Sequence, residues 1–196
     1  MLYILILYSN IYKMSLTVVI APMFSGKTTY LINKASIVLD LGFKPIFITH
    51  ALETRSSEIF THSSLIKADI GNKFPVLKIK SFDNLNLDNY THIFIDEYQF
   101  FEEVSSFFID IFVKKNKHVY VAGLKSAYNN QKIGFTLDLI PMADEVVFLK
   151  SSCLECARTL NGIETPAAFT KRILKSNNVI EVGGKDEYEP VCRKHL

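Results

Sequence analysis

The stretch VIAPMFSGKTTY, residues 19–30, places an incomplete phosphate-binding loop directly after an apolar run. The usual pattern is G-x-x-x-x-G-K followed by Ser or Thr; Gly26, Lys27 and Thr28 match it, and Ala21 replaces the first glycine. The run LTVVIA (16–21) is a continuous apolar stretch rich in β-branched residues, as expected of a buried parallel strand. After the loop, apolar residues recur at helical spacing up to Gly42. A strand, this loop and a helix in succession predict a nucleotide phosphate site, because backbone N–H groups and the helix N-terminus bind phosphate oxygens.

Strand-like and helical segments alternate along the chain up to residue 150. Apolar runs typical of strands are KPIFIT (44–49), VLKIK (76–80), HIFIDE (92–97), HVYVAG (118–123) and EVVFLK (145–150). The amphipathic stretch QFFEEVSSFFIDIFVKKN (99–116) predicts a second helix, and the polar residues 50–75 predict a long loop. This alternation predicts an α/β fold, with a parallel sheet that carries helices on both faces.

The composition indicates a globular protein without a dominant charge. Of 196 residues, 48% are hydrophobic and 21% are charged, and the formal net charge is +2. The scattered lysines and arginines argue against a nucleic-acid partner. The apolar residues 1–13 are too few for a membrane span of ~20 residues, and they lack the basic start of a signal peptide. We therefore expect no membrane association and a cytoplasmic location.

The segment IFIDE ends a hydrophobic strand in two acids. In phosphate-loop enzymes, an aspartate at such a strand end organises Mg²⁺, so Asp96 is the expected metal-associated acid. Glu97 follows at once, and in an extended chain its side chain would point to the opposite face. A strand that simply ends in exposed acids is the alternative, and the phosphate loop argues against it.

All three cysteines lie near the C-terminus, in CLEC (153–156) and CRKH (192–195). Two pairs with this spacing are typical of a structural zinc site, and four protein ligands leave no open position for catalysis. The expected ligands are Cys153, Cys156, Cys192 and His195. Buried reduced cysteines or a redox Cys-x-x-Cys pair are the alternatives. The sequence then divides into an extension (1–13), a phosphate-loop domain (14–150) and a zinc-binding domain (151–196).

From Leu16 to His195 the chain resembles the cytosolic, zinc-containing (type II) thymidine kinases. The motifs PMFSGKTT, ETR, THSS, FIDEYQFF, VAGL, AFTKR, VGGKDEY and VC-x-x-H stand in that family's order and at about its spacing. The resemblance implies transfer of the γ-phosphate of ATP to the 5′-hydroxyl of thymidine, with Mg²⁺, a structural Zn²⁺ and a homotetramer. It also implies that residues 169–188 form a substrate flap tied down by the zinc.

The resemblance assigns roles to particular residues. It implies that Glu97 is the general base and that Arg55 steadies the transferring phosphoryl group. The residues implied for ATP and Mg²⁺ are Pro22, Met23, Phe24, Ser25, Gly26, Lys27, Thr28, Thr29, Asp96 and Gln99. Those implied for thymidine are Met23, Phe100, Leu124, Tyr128, Phe169, Val182 and Tyr188.

Three positions depart from the family's pattern. Ala21 replaces the first loop glycine, Lys125 stands where many relatives carry Asp, and His195 replaces a frequent cysteine. A Cys₃His set still suits zinc, whereas Lys125 receives no predicted role. Three other functions stay open: an ATPase coupled to nucleic acid, a non-enzymatic zinc-stapled interaction protein, and a kinase for another nucleoside or a nucleotide. A nucleotide kinase would need a basic cluster for the acceptor phosphate, and none is expected near Tyr128.

Overall fold

A computed structural model describes residues 14–52, 73–159, 164–173 and 186–196. The predicted extension (1–13), most of the predicted loop (50–75) and much of the predicted flap lie outside these residues. None of the helices within the described ranges is long and apolar enough to cross a membrane.

The core of the fold is a six-stranded sheet in which every pairing is parallel. The strand order is β3-β2-β4-β5-β1-β6. Their bounds are β1 Ser15–Ala21, β2 Pro45–His50, β3 Val76–Ile79, β4 His92–Asp96, β5 His118–Leu124 and β6 Glu145–Phe148. The five strands predicted after β1 are therefore confirmed. Because the strands are parallel, the ends of β1, β4 and β5 meet at one edge of the sheet, where ligands of such folds bind.

Helices cover both faces of the sheet, as predicted. Helix α1, Lys27–Asp40, packs its buried leucine and isoleucine side chains on the face formed by Val19, Phe47 and Phe94. Helix α2, Ser105–Lys114, and a 3₁₀ helix at Thr136–Met142 cover the opposite face. Neighbouring strand residues alternate between these two apolar clusters because successive side chains of a strand point to opposite faces.

The predicted helix over residues 99–116 is wrong in its first part. The chain forms a 3₁₀ helix at Tyr98–Phe100, becomes extended at Phe101, and starts α2 only at Ser105. The buried ring of Phe101 stacks on Phe82, with 4.7 Å between the ring centroids. Packing of this aromatic side chain thus outweighs the helical periodicity in the first part of the stretch. The chain is α-helical only from Ser105 onwards.

The C-terminal region is built from short elements around its own small apolar cluster. Strand β7, Ser151–Ser152, pairs with β8, Pro166–Ala167, and strand β9, Phe169–Arg172, pairs with β10, Tyr188–Val191; both pairs are antiparallel. Helix α3, Leu154–Thr159, and a 3₁₀ helix at Arg193–His195 complete it. We call residues 151–196 the C-terminal subdomain; its independence from residues 14–150 stays a prediction.

Candidate active site and metal centre

The phosphate loop connects the end of β1 to the start of α1. The buried Lys27 amine donates to the carbonyl of Pro22 at 3.1 Å, and the Ser25 hydroxyl donates to the same carbonyl at 2.8 Å. Ala21 is the last residue of β1 and pairs with Leu124 of β5. The backbone φ of Ala21 is not positive, so its conformation does not require a glycine. A Cβ is therefore tolerated at the position of the missing glycine.

Two side chains of the C-terminal subdomain contact the loop backbone. The Met23 N–H donates to the Thr170 hydroxyl at 3.0 Å, and the Ser151 hydroxyl donates to the Phe24 carbonyl at 2.9 Å. Phe24 has a φ of 60°, a conformation that a residue with a Cβ seldom adopts. Contacts from a distant part of the chain therefore hold the loop at its left-handed residue, Phe24, and at the residue before it.

Asp96, at the end of β4, faces the first turn of α1. Its carboxylate accepts a hydrogen bond from the Thr28 hydroxyl at 2.5 Å, and only 3% of its surface is exposed. Burial and the negative charge of Glu97 raise the pKa of Asp96 to about 7, against the opposing effects of Thr28 and Lys27. A hydroxyl and a carboxylate are hard oxygen donors, which fit Mg²⁺. A divalent cation nearby would favour the ionised form of the carboxylate.

Glu97 lies beside Asp96 but not in an extended chain, so that prediction is wrong. Its backbone is left-handed, with φ 54° and ψ 39°, and its N–H donates to the Asp96 carboxylate at 2.9 Å. The turn lets the Gln99 side-chain amide donate to the Glu97 carboxylate. The Gln99 side-chain oxygen accepts from the Leu124 N–H at 3.1 Å. Gln99 therefore links the Glu97 carboxylate to the end of β5.

Gly134 supports this turn and was not predicted from the sequence. Its φ is +55°, and an added Cβ would lie 2.1 Å from the Gln99 carbonyl oxygen. Only a glycine fits both the backbone conformation and the space. An isolated glycine in the polar stretch after β5 was the only signal available.

The side chains predicted for thymidine partly converge. The Arg172 guanidinium lies 4.3 Å from the ring centroid of Tyr128 and 5.4 Å from that of Tyr188, and it donates to the Tyr188 hydroxyl at 2.9 Å. Arg172 was not predicted, although it ends the AFTKR motif, and it puts a single cation beside Tyr128, where no basic cluster was expected. Leu124 ends β5, and Phe169 begins β9. Arg55 and Val182 lie outside the described residues.

Four side chains of the C-terminal subdomain form a metal-binding geometry. The His195 Nδ1 atom lies 3.5 Å from the sulfur of each of Cys153, Cys156 and Cys192. The sulfurs of Cys156 and Cys192 are 3.8 Å apart. A tetrahedral zinc with its usual bond lengths sets nitrogen–sulfur and sulfur–sulfur separations of about 3.5 and 3.8 Å. The four residues therefore fit zinc closely, and the sulfurs are too far apart for a disulfide.

The environment of Cys153 also favours a metal-binding thiolate. Burial opposes its ionisation, but hydrogen bonds from the backbone of Cys156 and Cys192 and from His195 outweigh burial and lower the pKa of the thiol to about 6. A zinc ion binds cysteine as the thiolate. The fold brings the predicted ligands together from the start of α3, where Cys153 precedes the helix and Cys156 lies within it, and from the segment after β10 that holds Cys192 and His195.

Comparison with known proteins shows the family of the chain. The family model described as "Thymidine kinase" matches residues 14–196. The chain belongs to the thymidine kinase family. A thymidine kinase of Amsacta moorei entomopoxvirus is 37% identical over 187 residues, which cover 92% of this chain and 96% of the relative. A thymidine kinase of fowlpox virus is 32% identical, with 92% and 95% covered.

A cytosolic thymidine kinase of Bos taurus is 32% identical over 177 residues, which cover 90% of this chain and 69% of the bovine protein. The resemblance inferred from the motifs is therefore confirmed. Membership of the thymidine kinase family implies ATP and a divalent metal ion as cofactors.

Proposed function

We propose that the protein transfers the γ-phosphate of ATP to the 5′-hydroxyl of thymidine, and also of deoxyuridine. The observation that carries the proposal is the meeting of Thr28, Asp96 and Glu97 at the carboxyl ends of β1 and β4, beside a buried loop lysine. Such an edge is where nucleotide ligands bind in parallel α/β sheets. Membership of the thymidine kinase family supports thymidine as the acceptor.

The phosphate loop would bind the ATP phosphates. Lys27 already points its amine back over the loop, at the Pro22 carbonyl, so phosphate oxygens would replace this acceptor. Thr28 and Asp96 would hold Mg²⁺, which supplies charge neutralisation at the phosphates. Arg55 would steady the transferring phosphoryl group. The other loop residues, from Pro22 to Thr29, contribute backbone N–H donors and shape.

Glu97 would act as the general base. Its carboxylate takes the proton of the 5′-hydroxyl, while the 5′-oxygen forms a bond to the γ-phosphorus and the bond to the leaving ADP oxygen breaks. The Gln99 amide holds the carboxylate, and the Leu124 backbone holds Gln99 in turn. A base fixed in this way loses little entropy when the acceptor binds, which favours transfer.

Thymidine would bind between the end of β5 and the C-terminal subdomain. The proposed contact residues are Met23, Phe100, Leu124, Tyr128, Phe169, Val182 and Tyr188. A structural Zn²⁺ held by Cys153, Cys156, Cys192 and His195 would keep β9 and β10 in place around the pocket. A homotetramer and a cytoplasmic location complete the proposal, and both rest on the family resemblance.

An activity assay with separate acceptors tests the proposal. The purified protein is incubated with ATP, Mg²⁺ and thymidine, deoxyuridine, deoxycytidine or no acceptor, and nucleoside monophosphate is measured. We expect product with thymidine and deoxyuridine, and a loss of about 10²-fold or more in Glu97→Gln. The exposed Glu102→Gln is the matched control and should retain activity. ATP turnover that needs single-stranded DNA, without nucleoside product, would refute the proposal.

A further inference from the structure

Lys125, the residue after β5, joins two parts of the molecule. Its backbone N–H donates to the Ala21 carbonyl at 3.0 Å, at the point where β1 enters the phosphate loop. Its side-chain amine donates to the Ala168 carbonyl at 3.2 Å and lies 4.5 Å from the ring centroid of Phe169. One residue thus contacts the end of β1 with its backbone and the C-terminal subdomain with its charge.

The contacts of Lys125 continue directly to the phosphate loop. Phe169 begins β9, and the next residue, Thr170, accepts the hydrogen bond of the Met23 N–H at 3.0 Å. The Arg193 guanidinium lies 4.7 Å from the centroid of the same Phe169 ring, so two cations contact one aromatic side chain. The amine of Lys125 is therefore separated from the loop by only two consecutive residues of β9.

We propose that Lys125 is a positioning residue for the phosphoryl-transfer site, and that it docks β9 onto the phosphate loop. This inference rests on the proposed function for its kinetic consequence, but not for the docking itself. A lysine over an aromatic ring and a charged donor on a carbonyl each stabilise a contact modestly. Because both come from one side chain, its charge controls how firmly Thr170 meets Met23.

Substitution of Lys125 by Met and by Arg separates charge from packing. Methionine keeps much of the length and apolar volume, whereas arginine keeps the cation and a donor. Lys34 is the matched control, because its amine lies 5.7 Å from the centroid of the Tyr30 ring on α1. Lys34→Met removes a lysine–aromatic contact without touching the C-terminal subdomain.

Two measurements are made on the full chain with zinc bound. Amide hydrogen exchange of residues 166–172 and 188–191, without nucleotide, reports docking directly. We expect Lys125→Met to exchange about tenfold faster there, and Lys125→Arg and Lys34→Met to match the wild type. In thymidine kinase assays we expect the KM values for ATP and thymidine to rise about tenfold in Lys125→Met, with kcat changed less and with rescue in Lys125→Arg.

Unchanged hydrogen exchange and KM values in Lys125→Met, with an active wild type, would overturn the inference and leave the proposed function intact. A large fall in kcat with unchanged KM and unchanged exchange would also overturn it, since Lys125 would then act on the reacting atoms. An inactive wild type would refute the proposed function, while the exchange experiment would still decide whether Lys125 docks β9.

Discussion

Gly134→Ala should impair catalysis through the turn that carries Gln99. The new Cβ would lie 2.1 Å from the Gln99 carbonyl oxygen, 2.6 Å from its Cα and 2.7 Å from its carbonyl carbon, whereas real Cβ atoms keep at least 3.0 Å. Gln99 or Gly134 must therefore move by about 0.9 Å, the difference between 3.0 and 2.1 Å. The atoms in contact belong to the backbone, so no side-chain rotation relieves the overlap.

Such a shift moves the amide that holds the Glu97 carboxylate. Because a misplacement of about 1 Å in a catalytic arrangement can cost about 10²-fold, we expect kcat/KM for thymidine to fall about 10²-fold. The left-handed backbone at residue 134 adds about 1–2 kcal/mol of strain for alanine. Gly134→Ala should therefore lower both activity and the free energy of unfolding.

Gly42→Ala is the control that separates strain from overlap. Gly42 has a φ of +85°, but no atom lies within 4 Å of an added Cβ. This variant should lose about 1 kcal/mol of stability and keep its activity. Steady-state kinetics and urea denaturation of both variants provide the test. If Gly134→Ala keeps kcat/KM within about twofold of Gly42→Ala, the reasoning about Gln99 is wrong.

Three further predictions concern Gln99, the metal centre and a pair of histidines. Gln99→Ala should lower kcat by about tenfold or more while a zinc assay shows unchanged metal content, since the amide positions Glu97 without reaching the zinc site. Chelation of the zinc should weaken the binding of an ATP analogue, because Ser151 and Thr170 of the zinc-binding subdomain contact the backbone of the phosphate loop. Calorimetry measures this affinity, and an unchanged affinity after metal loss would contradict the prediction. The rings of His92 and His118 stack with centroids 4.7 Å apart, and burial, followed by the charge of His118, lowers the pKa of His92 from 6.5 to about 4. Between these pH values the folded protein therefore binds fewer protons than the unfolded chain. The free energy of unfolding should fall as the pH drops from about 6.5 towards 4. Urea denaturation at several pH values should show a shallower fall of this free energy in His92→Gln.

The parts of the molecule that the sequence predicts well are those with a local physical signature. Buried parallel strands require continuous apolar runs, the phosphate loop requires Gly26-Lys27-Thr28 before a helix, and zinc requires closely spaced pairs of ligands. Each of these constraints acts over a few residues. The sheet, α1 and the four clustered metal ligands follow from them.

The features that were missed depend on contacts between distant residues. Gly134 matters because it touches Gln99, and Arg172 because it stacks on Tyr128. The left-handed Glu97 turns the chain towards β5, and the extended Phe101 delays the start of α2 to Ser105. Neither periodicity nor spacing records such contacts, since the partners lie on different elements.

The hydrogen bonds that hold the phosphate loop also order events during translation. Phe24 is separated from Ser151 by 127 residues, and Met23 from Thr170 by 147. A ribosome that adds ~5–20 residues per second synthesises Ser151 and Thr170 on the order of ten seconds after the loop itself. Strand β1 likewise pairs with β5 and β6, so it has no neighbouring strand in the sheet until β5 has been synthesised. A nascent chain therefore carries an unfinished loop until Ser151 and Thr170 have been synthesised, and these two hydrogen bonds can form only after that point.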